Sequence, residues 1–150
     1  MFERYSEDAR RALFFARART QQRNGDSITP EDLLDGIVWA SPHVIARVAP
    51  KLAEAKASSE TAEDLVSRLL REAALLDVSK EIPFSDPTKL ALGRGCEEAD
   101  VFEHKTIGAK HLLLGLLRDE DSQASRTLRE ADVTLRELRR IVSEEPTEQS

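Results

Sequence analysis

The chain has 150 residues, 40% hydrophobic and 33% charged, with 22 Lys and Arg against 28 Asp and Glu, a formal charge of -6. That length holds one ordinary domain or two small ones, and the composition is that of a soluble, core-forming chain and not a disordered one. The negative charge argues against nucleic acid as a partner, the lone Cys96 excludes an internal disulfide or a cysteine-based zinc site, and no apolar run reaches the roughly 18 residues that span a bilayer.

The opening segment, MFERYSEDARRALFF, is charged throughout and has no signal-peptide core, so the expected setting is cytoplasmic and reducing. Helical periodicity then recurs along the chain, and alternation of period two is almost absent. Ser6 is placed to cap a first helix, with Glu7 and Asp8 in its first turn and Ala9, Ala12, Leu13 and Ala16 on one face. Asn24-Gly25 is the expected stop. Thr29-Pro30-Glu31-Asp32 starts a second helix with the stripe Leu33, Leu34, Ile37 and Val38. Ser41-Pro42 starts a third, carrying Val44, Ile45, Val48 and Leu52, which Pro50 kinks or ends. Residues 53–60 are expected as a loop into a fourth helix with Leu65, Val66, Leu69, Leu70 and Ala73 inside, and 77–83 as a linker. Ser85 caps a fifth helix. Leu112, Leu113, Leu116 and Leu117 mark a sixth, Ala124 to Leu128 a seventh, and Leu135, Leu138, Ile141 and Val142 an eighth capped by Thr134.

The chain also repeats itself. A shift of 79 residues aligns Tyr5 to Val38 with Phe84 to Leu117 without a gap. Identical pairs are Ser6/Ser85, Ala12/Ala91, Leu13/Leu92, Ile28/Ile107, Leu33/Leu112, Leu34/Leu113 and Gly36/Gly115. They fall on the cap, the first-helix core and the pattern I-x4-L-L-x-G. The fold expected is all-α, about eight helices in two four-helix repeats related by a pseudo-two-fold. The repeats run from about 2 to 76 and 82 to 142, in a domain 1–143 followed by a flexible tail 144–150.

Two further stretches carry a resemblance. The first copy reads Tyr5-Ser6-Glu7-Asp8-Ala9, then Ile28-Thr29-Pro30-Glu31-Asp32-Leu33-Leu34-Asp35-Gly36-Ile37. The second reads Phe84-Ser85-Asp86, then Ile107-Gly108-Ala109-Lys110-His111-Leu112-Leu113-Leu114-Gly115-Leu116. Together, at fixed spacing over about residues 2 to 142, they resemble the Clp amino-terminal domain family, the Clp repeat at the front of the Clp unfoldases. The resemblance implies a non-catalytic, protein-binding module without a cofactor, whose partners are substrate or adaptor proteins of a Clp ATPase and protease system. No G-x-x-x-x-G-K-[ST] loop occurs in these residues, so no ATPase module is present in them.

Some members of that family resemble readers of phosphoarginine. By position, Ser6 with the Glu7 and Asp8 amides would take the phosphate and Glu31 the guanidinium. In the second copy Ser85 remains, but Lys110 stands where the glutamate is expected and Pro87 removes an amide donor. The plain reading of Ser6, Ser85, Thr29 and Glu31 is helix caps and first-turn acids. Phe14, Phe15 and Trp39 are candidates for an exposed protein-contact groove. Phe14 and Phe15 are adjacent on one helix, so they cannot both enter one core. Arg10, Arg11, Arg17, Arg19 and Arg23 give that helix a basic face.

The remaining polar residues carry no chemistry by spacing. His104 and His111 straddle the Thr106-Ile107-Gly108 break, so they are expected as surface or cap residues and not as a metal pair. His43 is expected to be exposed, and Cys96 to be a small, partly buried helix residue. No nucleophile, base and orienter set is legible, so no catalytic residue is assigned. The alternatives to a recruiting module are a free-standing regulator that competes for Clp partners, and a helical nucleic-acid-associated regulator. A monomer is expected, with no membrane contact.

Overall fold

The computed structural model describes residues 2–56, 64, 67 and 81–145. Among these, eight helices are placed: α1 Glu7–Gln22, α2 Pro30–Ala40, α3 Pro42–Val48, α4 Pro50–Lys56, α5 Asp86–Val101, α6 Ala109–Leu117, α7 Gln123–Glu130 and α8 Leu135–Ser143. The all-α class follows, and the only extended pairing among the described residues is two isolated parallel bridges, Tyr5 with Ile107 and Ile28 with Phe84.

Those bridges carry the symmetry. The Ser6 amide donates to the Ile107 carbonyl at 3.0 Å, and the Ser85 amide donates to the Ile28 carbonyl at 3.0 Å. The Ile107 amide donates to the Arg4 carbonyl at 2.8 Å, and the Ile28 amide to the Pro83 carbonyl at 2.8 Å. Each bond maps onto its counterpart under the 79-residue shift with the repeats exchanged, which is what a pseudo-two-fold requires. The two repeats therefore grip each other reciprocally just ahead of α1 and α5. Arg4 adds a clamp with no counterpart at Pro83: its guanidinium donates to Asp100, to the His104 carbonyl and to the Lys105 carbonyl at 2.8, 3.1 and 3.0 Å.

Packing follows the repeat. α1 lies on α2 and α5 on α6, each pair crossing at a glycine. A Cβ on Gly36 would stand 2.2 Å from the Ala12 carbonyl oxygen, and one on Gly115 would stand 2.1 Å from the Ala91 carbonyl oxygen. Only a missing side chain lets the backbones approach so closely. α6 is the central helix. His111 to Leu117 are buried without interruption, Leu114 included, so it is covered on every side. Its counterpart α2 is amphipathic, with half-buried Asp35 in place of Leu114 and paired to Arg19 at 3.3 Å. Leu128, Leu138 and Val142 from α7 and α8 close the core over α6. Each such leucine contributes roughly 2 kcal/mol by leaving water.

The caps form where the residue types place them. Ser6, Thr29, Ser85, Ser122 and Thr134 each accept a hydrogen bond from the amide three residues on. Two expectations need correction. The third helix is two helices: α3 ends before Ala49, and Pro50 occupies the start of α4, where its missing amide costs nothing. Residues 53–56 therefore belong to α4 and not to a loop. The stop at Asn24-Gly25 forms as expected, with Asn24 taking the left-handed φ of 55°. Glu103, at the equivalent place after α5, takes φ 57°. The expected fourth helix around Leu65 to Ala73 lies outside the described residues, as does the tail beyond Glu145.

Candidate binding site

Four helix starts meet in two places. The Ser6 hydroxyl accepts from the Ala9 amide at 3.1 Å, and Glu7 and Asp8 supply the other amides of that first turn. Ser6 faces the start of α6: its oxygen lies 3.7 Å from where a Cβ on Gly108 would stand. At the other seam Ser85 caps α5, and Thr88, completely buried, donates its hydroxyl to the Ile28 carbonyl at 2.8 Å. Ile28 leads directly into the Thr29 cap and Glu31 of α2. The chain thus brings Ser6 to the α6 start that carries Lys110, and Ser85 to the α2 start that carries Glu31. The sequence grouping of Ser6 with Glu31 paired residues within one repeat, whereas the reciprocal bonds pair helix starts across repeats.

The charges at the two seams differ. Around Ser6, Glu7 is exposed and paired with Arg11 at 2.6 Å. The Asp8 carboxylate accepts from the buried Ser41 hydroxyl at 3.1 Å, and exposed His43 stands 3.8 Å from it. Lys110 is paired with Glu145, which Arg47 also approaches at 3.9 Å. Burial, and then the charge of Arg47, push the Lys110 ammonium below its ordinary range. Around Ser85, exposed Asp86 and Lys89 stand 3.9 Å apart, and Glu31 is partly buried. Arg47 and Glu145 were not singled out in the sequence. The only signal available was the acidic pair Glu144-Glu145 just past the last helix.

The aromatic candidates separate. Phe14 is 57% exposed, while Phe15 is in the core at 3% and Trp39 is partly buried against it. No three-residue groove forms, because neighbouring helical positions point about 100° apart. Phe14 alone stays available for contact. Leu90 and Val101 are the other exposed large apolar side chains among the described residues. Cys96 is partly buried on α5, with Arg4 Nη1 at 3.4 Å.

Of the surface and cap alternatives, the structure takes the cap at His111 and puts neither histidine at the surface. His104 and His111 are buried, and His104 Nδ1 meets His111 Nε2 at 2.9 Å. His111 Nδ1 accepts from the Gly108 amide at 2.9 Å, so His111 carries its proton on Nε2 and donates it to His104. His111 thereby supplies the third-position half of a capping box, while Gly108 has no side chain to return it. Among the described residues no group of three metal-ligating side chains occurs. His111→Ala should destabilise the domain by about 2 kcal/mol, since the Gly108 amide and His104 Nδ1 lose their partners in a buried place. Thermal melting followed by circular dichroism measures this, and an unchanged midpoint would refute the capping role.

Comparison with known proteins adds three findings. The Clp repeat (R) N-terminal domain family matches residues 83–150. Among curated relatives, a probable ATP-dependent Clp protease ATP-binding subunit of Chlamydia pneumoniae is 28% identical over 145 residues, 97% of this chain and 17% of that protein. The chloroplastic chaperone protein ClpC1 of Oryza sativa subsp. japonica is 30% identical over 129 residues, 85% of this chain and 14% of that protein. The chain thus spans about a sixth of the length of these relatives. Among solved structures, the amino-terminal domain of the caseinolytic protease associated chaperone ClpD from Arabidopsis thaliana superimposes with a TM-score of 0.62 at 21% identity, covering 93% of this chain and 92% of that one.

Proposed function

We propose, from the premise that this chain carries the Clp repeat and has the fold of a Clp amino-terminal domain, that it is a non-catalytic module receiving substrate or adaptor proteins for a Clp-type ATPase. The observation that carries this reading is the pair of cross-repeat seams. Each presents two helix starts at the protein surface, and helix starts offer backbone amides to an acidic or phosphorylated partner. A cytoplasmic setting goes with this proposal.

Phosphoarginine-tagged proteins are the finer form of the proposal. The seam formed by Ser85 and Glu31 has the carboxylate that a guanidinium needs, while Pro30 and Pro87 each remove an amide from its two helix starts. Glu31 supplies a carboxylate for the guanidinium, and Lys89, on the first turns of α5, supplies a cation for the phosphate. At the Ser6 seam the amides of Glu7 and Asp8 remain suited to phosphate, but Lys110 repels a guanidinium. Calorimetric titration with phosphoarginine, arginine and phosphoserine tests this on the wild type and on Glu31→Ala. The expected result is saturable heat with phosphoarginine alone, lost in Glu31→Ala. No heat with any of the three would remove tag reading and leave the adaptor form, to be tested with a purified adaptor.

A further inference from the structure

We propose that Lys110 and Arg47 form a carboxylate-accepting clasp at the start of α6, filled in this chain by Glu145 and taken over by an acidic segment of a partner protein. The inference rests on the reading of the chain as a protein-binding module and names the chemistry of one class of partner.

The clasp is built from three positive features on two elements. Lys110 is the second residue of α6, at the end of the helix where backbone amides already concentrate positive charge. Its side chain is 18% exposed, so its ammonium is only partly hydrated. Arg47, from the last turn of α3, faces the same point. Two cations and a helix start converging on one place are unfavourable unless an anion joins them. Glu145 is that anion, two residues past the end of α8. Its neighbour Glu144 is used differently, accepting from Arg140 of its own helix at 2.6 Å. Of the two acids that follow α8, one closes its helix and the other reaches across to α6.

The contact is suited to exchange. An ion pair whose partners keep part of their hydration contributes only about 0–1 kcal/mol. Its occupancy here comes from the tether, because Glu145 stays near the clasp at high effective concentration. An incoming segment with several carboxylates competes on charge, and its binding should weaken as salt screens the cations. The overall charge of -6 gives no general attraction for acidic chains, so recognition depends on this local arrangement.

The test uses a fluorescein-labelled peptide with the chain's own sequence from 143 to 150, Ser-Glu-Glu-Pro-Thr-Glu-Gln-Ser. Binding is followed by fluorescence anisotropy with the full chain. Glu145→Gln should bind the peptide about tenfold more tightly than the wild type, since the tethered competitor is gone. Glu144→Gln should not. Adding Lys110→Gln or Arg47→Gln to Glu145→Gln should abolish the gain, with helix content checked by circular dichroism for each variant. No gain in Glu145→Gln, no binding by any variant, or a gain that survives both cation substitutions would overturn the proposal. Tag reading is measured at Glu31 and so stands or falls separately.

Discussion

Gly115→Ala should lower the thermal midpoint by about 10 °C, and Gly36→Ala by about as much. A methyl at 115 would stand 2.1 Å from the Ala91 oxygen and 2.8 Å from the Gly95 amide nitrogen, and one at 36 would stand 2.2 Å from the Ala12 oxygen and 2.9 Å from the Ala16 nitrogen. All four are backbone atoms inside 16-residue helices. No rotamer change relieves such a contact. The helix must shift as a body, and the leucines it packs against must shift with it. Overpacking of this kind costs about 3 kcal/mol, and each kcal/mol moves the midpoint of a domain this size by roughly 2–4 °C. Gly93→Ala is the internal control. It lies in the same helix α5, nothing stands within 4 Å of its missing Cβ, and alanine there should stabilise by about 0.5–1 kcal/mol. Melting curves of the three variants decide the matter. A Gly115→Ala midpoint within about 2 °C of the wild type would mean that α5 and α6 slide freely, and the close crossing would lose its structural role.

The same glycines show how far the sequence could be read. Gly36 and Gly115 aligned at the 79-residue shift together with the caps and paired leucines, and the structure puts each at an equivalent helix crossing. Local signals were legible because their physics is local: a serine hydroxyl reaches an amide three residues away, and a leucine stripe repeats every turn. What escaped depends on contacts across most of the chain. Ser6 meets Ile107 and Gly108, and Ser85 meets Ile28, so the repeats exchange helix starts. Periodicity within one repeat carries no trace of that exchange. The grouping of Ser6 with Glu31 used only positions within one repeat, while the backbone bonds of Ser6 and Ser85 run to the other repeat. His104 and His111 escaped for a related reason. A chain break between them hides the fact that the left-handed turn at Glu103 folds one ring back onto the other. Phe14 and Phe15 were half legible. Their adjacency required one outward side chain, but only the placement of α1 on α2 decides that it is Phe14.

Asp32→Asn should cost about 2–3 kcal/mol near neutral pH, and the gap from the wild type should close as the solution is acidified below about pH 4. Asp32 occupies in the first repeat the place of His111 in the second, but it caps with a charge. Its carboxylate, 3% exposed, accepts from the Thr29 amide at 3.0 Å, the Thr20 hydroxyl at 2.8 Å and Arg23 Nη2 at 2.6 Å. Burial alone would push this carboxyl up. The Arg23 guanidinium foremost, with the Thr29 amide and the Thr20 hydroxyl, outweighs burial and holds it below its ordinary value of 3.8. A carboxyl depressed by folding stabilises the fold above its unfolded value, and that stability is lost as pH falls through the lower, folded value. Asparagine keeps the shape and can still accept from Thr29. It turns an amino group toward Arg23 Nε, which donates to the other oxygen of the wild-type carboxylate, and it carries no charge at any pH. The wild type therefore approaches the variant in acid, whereas at pH 7 the two stand apart. Urea denaturation at pH 7, 5 and 3 measures the gap directly. A gap that stays constant across the three would mean that the Asp32 charge contributes nothing and only its hydrogen-bonding geometry matters. A gap that closes would show that the start of α2, where Glu31 sits, is held by the charge of a carboxylate and loosens as that carboxylate is protonated.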